Sequence, residues 1–485
     1  MRTLNDIRLP LYYASFAGLI RSVKFILDKG ADVNAQGGEY GNALQAASQG
    51  GHDQVMQMLL AKGADVNAQG GEFGNALQAA SEGGHDQVVQ MLLAKGANVN
   101  PQGGGYGNAL QAASEGGHDQ VVQMLLAKGA DVNAQGGYYS NALQAASFKG
   151  HKQVVQILLA KGADVDAQGG KYGNALQAAS EGGHDQVVQM LLAKGADVNA
   201  QGGEFGNALQ AASEGGYDQV VQILLAKGAD VNAQGGYYGN ALQAASAGGH
   251  DQVVQMLLAK GADVNAQGGE YGNALNAASE GGHDQVVRLL LNHDAVINRK
   301  DIQGRTPFHL ASAGGQMETV ETLSSFGSDP TIIDTQGRNC LHHAASKGSI
   351  EIVNWLLKKG FDPNYADRDG WTSLHWAAKN GSVSTIEVLK AAGAGSTIEA
   401  IEGWTPDSIA IFHHNQSSSI LDVSLAYENK KSELAVKQST SSSTAAVESI
   451  DDERNVSPGI WRKGYYCDGC LLVSFDSNNL LNLFV

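Results

Sequence analysis

Residues 118–129 read HDQVVQMLLAKG, and their apolar positions are Val121, Val122, Leu125 and Leu126. That spacing makes one broad apolar face on an α-helix. Lys128 suits the helix C-terminus and Gly129 the left-handed residue that closes it. A shorter helix is predicted ahead of each such segment. In ALQAAS, residues 43–48, Leu44 and Ala47 face one side among small residues. Asn42 is placed as its N-cap, and Gln45, three residues later, is placed to reach back in a capping box. Gly50 and Gly51 end this helix. After the second helix, ADVNAQGG (130–137) runs extended and turns.

The pattern has a period. Asn42 recurs as Asn75, Asn108, Asn141, Asn174, Asn207, Asn240 and Asn273, and the same 33-residue step lands on Thr306, Asn339, Thr372 and Thr405. Stepping back reaches Leu9 and a truncated opening unit, PLYYAS. The frame therefore holds about 12 units and a degenerate last one. One two-helix unit cannot bury its apolar face alone; stacked on near-identical neighbours it shares a continuous core, with stability that sums unit by unit. Abundant Ala and Gly let helices approach closely but weaken each unit by itself.

The later units carry a recognisable signature. They read GRTPFHLASAGG (304–315), GRNCLHHAASKG (337–348) and GWTSLHWAAKNG (370–381), followed by segments such as EIVNWLLKKGFDPN (351–364). This resembles the ankyrin repeat, whose Thr-Pro-Leu-His signature falls on Thr306, Pro307, Phe308 and His309. In the front units the same places hold Asn, Ala, Leu and Gln, which keeps the cap, the apolar residue and a polar hydrogen-bonder. The resemblance covers roughly residues 8–414. It implies an all-α helical-repeat fold, a solenoid with short β-hairpins, that binds proteins on its concave face and hairpin tips. The expected organisation is a lead at 1–7, the array at 8–414 with near-identical units to about 303 and more typical ones at 304–414, a capping helix and disordered linker at 415–458, and a separate end at 459–485.

Composition narrows the function. The net charge is −17 and charged residues make up 17% of the chain, so neither a nucleic-acid backbone nor an anionic membrane surface is an expected partner. No apolar run approaches the ~20 residues of a membrane span, and MRTLNDIRLP lacks the apolar core of a signal peptide. Three cysteines make no disulfide framework, which points to a reducing compartment, cytoplasm or nucleus. No nucleophile–base arrangement, P-loop or metalloprotease motif occurs, so no enzyme is expected.

One His per unit forms a ladder: His52, His85, His118, His151, His184, His250 and His283, with Tyr217 replacing one rung. Packed helices stand roughly 8–10 Å apart, whereas zinc ligands lie about 2.1 Å from their ion. Neighbouring rungs cannot share a metal, so the ladder reads as structural. His342, His343 and His375 fall in the family's structural His region. At the C-terminal end Cys467-x-x-Cys470 has zinc-knuckle spacing, within a segment (459–470) that resembles the opening of a ZZ-type zinc finger. The fifteen residues that follow contain no Cys or His, so the half-site does not close locally and no zinc is expected.

The aromatic row is the strongest candidate for binding. Tyr40, Phe73, Tyr106, Tyr139, Tyr172, Phe205, Tyr238 and Tyr271 stand where later units have Gly304, Gly337, Gly370 and Gly403, at a hairpin end that the family leaves exposed. Beside it lies the most variable position of otherwise near-identical units, held by Glu39, Glu72, Gly105, Tyr138, Lys171, Glu204, Tyr237 and Glu270. A second variable place follows the first helix, with Gln49, Glu82, Glu115, Phe148, Glu181, Glu214, Ala247 and Glu280. Exposed aromatics concentrate at hot spots. Trp371 and Trp404 shift the aromatic by one position and extend the surface. Around residues 138–172, Tyr138, Tyr139, Phe148, Lys149 and Lys152 make an apolar–basic spot on an acidic array. The expected function is a non-enzymatic scaffold presenting an aromatic, acidic groove to a protein with basic and apolar residues. Two other readings stand beside it. One is a sensor fragment of a larger receptor, because long near-identical arrays resemble those of fungal NACHT-type proteins. The other is a substrate adaptor in ubiquitin transfer, which needs a ligase-docking box within 415–458 that is not evident.

Overall fold

A computed structural model describes residues 10–415. The expected lead at 1–7, the linker beyond Asn415, and Cys467 and Cys470 lie outside the described residues. Within them are 25 helices, from Pro10–Phe16 to Pro406–Asn415, in the two-helix alternation the periodicity predicts. Ala43–Gln49 and Asp53–Ala61 are one such pair. First helices pack on the first helices of neighbouring units and second helices on second helices, as expected of a solenoid.

A single apolar cluster runs from Leu11 to Leu389. Each front unit supplies the same set: Leu110 and Ala113 from one first helix, and Val121, Val122 and Leu125 from the second helix behind it, all buried. Burying a Leu or Val contributes roughly 1.5–3 kcal/mol, and adjoining units supply part of the surface that buries it.

The caps form as predicted, with one difference. Asn42 Oδ1 accepts the Gln45 backbone N–H at 2.9 Å, and the same bond forms in the other front units. The side chain of residue N3 closes a full box at Asn174–Gln177, where Gln177 Oε1 accepts from Asn174 N. The amide nitrogen reaches forwards at the same time: Gln177 Nε2 donates to Gly206 O (3.1 Å), and Gln45 Nε2 to Gly70 O (2.9 Å) and Gly74 O (3.2 Å) of the next turn, whereas Asn276 Nδ2 donates back to Tyr271 O. In later units a His does this work. Thr372 N–H donates to His375 Nδ1, leaving Nε2–H to donate to Trp404 O at 3.1 Å, again 29 residues ahead. Gln and His are thus equivalents in one inter-unit bond.

The histidine ladder is a second inter-unit bond. His85 donates from Nε2 to Gln49 O (2.9 Å), His118 to Glu82 O (2.8 Å) and His250 to Glu214 O (2.7 Å), each 36 residues back. A carbonyl only accepts, so Nε2 carries the proton. The paired glycines lie against this ring. A Cβ on Gly51 (φ +65°) would lie 2.5 Å from His85 Nδ1, and one on Gly83 would lie 2.4 Å from its Nε2.

The predicted β-hairpins shrink to tight turns, each closed by one antiparallel bridge such as Gly70–Gly74. Successive turns are joined by backbone alone: Glu72 N–H donates to Glu39 O (3.0 Å), Tyr237 N–H to Glu204 O (3.0 Å) and Glu270 N–H to Tyr237 O (3.1 Å).

Candidate protein-binding face

Those last bonds explain one variable position. Residues 39, 72, 105 and their kin contribute backbone to the ladder, which leaves their side chains free to differ. Where the side chain is Tyr it stands out: Tyr138 is 56% exposed and Tyr237 50%. Each meets its sequence neighbour edge-on, Tyr138–Tyr139 and Tyr237–Tyr238 both at 5.0 Å between ring centroids.

The row itself corrects the expectation of exposure. Phe73 and Tyr172 are buried, at 6% and 4% exposure, and Tyr40, Tyr106, Tyr139, Phe205, Tyr238 and Tyr271 are half-buried. The turns are so short that each ring lies along the array instead of projecting from a tip, and the repeat distance there matches ring stacking. Phe16, Tyr40, Phe73 and Tyr106 follow one another at 5.4, 5.4 and 5.8 Å. Tyr139 and Tyr172 stack at 5.7 Å, and Tyr238 and Tyr271 at 6.4 Å. These rings do packing work.

The structure also joins the two variable positions. Tyr139 Oη donates to Glu115 Oε1 (3.3 Å) and Tyr238 Oη to Glu214 Oε1 (3.4 Å). The aromatic row therefore runs beside a row of carboxylates at the ends of the first helices. Burial and the flanking Glu82 and Glu115 push the Tyr106 phenol up to about 12; Tyr139 and Tyr238 rise too, through burial and then their glutamate partners. Burial, reinforced by Glu214 and Glu204 and opposed by Lys171, pushes Glu181 up to about 7. An open cavity of about 220 Å³ lies on this face, lined by Glu82, Tyr106, Glu115, Gly116 and Lys149.

At 138–172 the rings converge. Phe148 lies 4.7 Å from Tyr172 and 5.7 Å from Tyr139. Lys149 and Lys171 place their ammonium groups 5.7 and 5.6 Å from the Phe148 and Tyr172 centroids, and pair with Glu115 (3.4 Å) and Glu204 (3.5 Å). Lys152 does not join them; it sits on the second helix and donates to Gln186. Trp371 and Trp404 form separate spots. Trp371 packs on Trp376 at 5.0 Å beneath Lys379, and Trp404 is edge-on to Phe412 at 5.9 Å. The sequence marks the glutamates and Lys171 as variable positions and Lys149 as part of an apolar–basic spot; what it does not give is their pairing with the rings.

No described helix is long and apolar enough to cross a membrane. Cys340, the one Cys among the described residues, is buried in the core. A family model for ankyrin repeats (three copies) matches residues 43–136, 110–202, 203–268, 242–334 and 311–401, and a model of the single ankyrin repeat matches 8–38. Over 63 residues the chain is 59% identical to the azaphilone pigments biosynthesis cluster protein L of Monascus ruber, a match spanning 12% of this chain and 13% of that protein. With repeat models covering most of its length, the chain belongs to the ankyrin-repeat family.

Proposed function

We propose that this protein is a non-enzymatic scaffold that binds a protein partner on the face carrying the aromatic and glutamate rows. The observation behind the reading is the pair Tyr138 and Tyr237. Each exposes half of a large ring at a position that joins the turn-to-turn ladder through its backbone, beside carboxylates and stacked aromatics that packing has already fixed in place. Rigid rings held this way contribute contact area at little entropic cost. The surrounding acid favours encounter with basic partners and sets rate and specificity more than affinity.

Photo-crosslinking tests this. A benzophenone amino acid placed at 138 or 237 should give discrete adducts with the same partner, and one at exposed Gln123 on a second helix should not. Equal labelling from all three sites, or none from the first two, refutes the reading. Tyr138→Ser with Tyr237→Ser should abolish the adducts from neighbouring positions without changing the melting temperature.

A further inference from the structure

The register between ring and helix end repeats along the array. A ring meets the residue 24 positions before it: Tyr40 meets Phe16 at 5.4 Å, Tyr172 meets Phe148 at 4.7 Å, Tyr139 bonds Glu115, and Tyr238 bonds Glu214. The same register sets Phe205 against Glu181, and Phe has no hydroxyl to donate. Glu181 is accordingly different from its siblings. Glu115 and Glu214 accept from tyrosines, and Glu82 Oε2 accepts from Gln49 Nε2 at 3.1 Å. Among the described glutamates, Glu181 alone has an oxygen, Oε2, that is closed off from solvent with no hydrogen-bond partner. The nearby cation, Lys171, faces Glu181 but forms its ion pair with Glu204 at 3.5 Å and lies over Tyr172. The rung behind is altered as well. Tyr217 replaces the His that would bond the Glu181 carbonyl, as His250 bonds that of Glu214.

A half-buried carboxylate with one enclosed oxygen, set by the register beside an aromatic face and lacking the donor its siblings have, is short of N–H groups. A guanidinium supplies them, with a planar fork for the carboxylate and a flat face for the ring. We infer that Glu181 and the Phe205 ring form the seat for an arginine side chain carried on an extended, basic segment of a protein partner. This rests on the aromatic–glutamate face being the binding face. The rows repeat at the ring-stacking distance of 5.4–6.4 Å. Tyr237 is therefore one unit, roughly two extended residues, from the seat, and Tyr138 two units, roughly four residues, on the other side. Apolar side chains at those offsets would meet the exposed tyrosines. Net charge of −17 on the chain complements such a segment.

The probe is a Gly/Ser peptide carrying one Arg flanked by Leu at those two offsets, made in both chain directions. Its counterpart has citrulline, the neutral isostere, in place of Arg. Calorimetry at low salt should show the Arg peptide binding about tenfold tighter than the citrulline peptide. Glu181→Gln should erase that preference. Phe205→Tyr, which hands Glu181 the missing hydroxyl, should cut it at least threefold. Glu351→Gln, exposed on a second helix away from this face, should leave it intact. Circular dichroism confirms that each variant is folded. Persistence of the Arg preference in Glu181→Gln, or equal or absent binding of both peptides by the unaltered chain, overturns the seat. If Tyr138→Ser and Tyr237→Ser weaken both peptides while Glu181→Gln changes nothing, the face is right and the seat wrong. If none of these variants matters, both fail.

Discussion

Tyr217→His tests whether the imidazole rungs hold neighbouring units together. Its siblings show what the change supplies: a bond of 2.7–2.9 Å from Nε2 to a carbonyl 36 residues back, here that of Glu181. A net hydrogen bond contributes about 1 kcal/mol. Against this stands the loss of ring contact. A Cβ on Gly183 or Gly215 would come within 2.5 and 2.1 Å of the Tyr217 ring, so the ring touches both glycines, yet it is 37% exposed and gains little from burial. The balance is a stabilisation of about 0.5–1 kcal/mol, confined to the interface with the preceding unit because a solenoid's stability is a sum of local terms. A global melt would dilute it. Hydrogen exchange of the Val220, Val221 and Leu224 amides reads it directly and should slow about two- to fivefold. The reverse change, His250→Tyr, should speed exchange at Val253 and Val254. If Tyr217→His speeds exchange or leaves it unchanged, the glycine–ring contact outweighs the bond and the ladder is not the coupling we describe.

Among the described residues, two that are not glycine sit in the left-handed region, Ser140 (φ +73°) and Asp294 (φ +63°), where sibling units have Gly. Ser140→Gly and Asp294→Gly should each stabilise by about 1 kcal/mol in urea titrations that resolve the local transition. Glu181 is held near 7 in the folded chain against 4.5 unfolded. Between those values the folded state keeps a proton the unfolded state has released, so stability falls as pH rises across that window and stays lower above it. Glu181→Gln should therefore raise the melting temperature at pH 8 and not at pH 4; Lys171, Glu204 and Glu214 are the charges facing it, and solvent screening keeps the effect small. Asp334 behaves oppositely. Burial pushes its carboxyl up, but bonds from His343 (3.0 Å) and from Arg338 outweigh it and hold the carboxyl well below the usual range. Its contribution is present above the unfolded value of 3.8 and is lost as pH falls through the folded one. Asp334→Ala should cost about 3–5 kcal/mol at pH 7 and progressively less in acid, as followed by circular dichroism.

Much of the array is legible from sequence because its causes are local. Asn42 caps its helix within three residues, Gly129 takes positive φ at the helix end, and Val121, Val122 and Leu125 face one way by helical period alone. What escaped depends on the distance between units. That Gln45 reaches forward to Gly74, 29 residues on, depends on where the next turn lies. Whether Tyr40 projects or stacks is decided by a 5.4 Å ring spacing that no single unit contains. The pairing of Tyr139 with Glu115 joins positions 24 apart in neighbouring units, and it is visible in sequence only once that register is known.

The same distinction explains where the chain varies. Val154, Val155 and Leu158 repeat Val121, Val122 and Leu125, because a changed core residue disturbs two interfaces at once. Position 138 and its kin join the ladder through backbone groups, so Tyr, Glu, Lys and Gly are all accommodated there. A side chain there changes the surface at almost no cost in stability. Phe205 and Ser140 are different: one leaves a buried carboxylate oxygen without a donor, the other holds a non-glycine residue at φ +73°. Both departures cost folding free energy and both lie within the segment from Tyr138 to Tyr217, where the four-ring cluster and the altered His rung also occur; Asp294, the other non-glycine residue at positive φ, lies outside it. An array built of interchangeable units could have lost those costs by copying a neighbour's residue. Their concentration on one face makes that face the place to look for a compensating gain, and a bound cationic partner supplies one through the unsatisfied oxygen of Glu181.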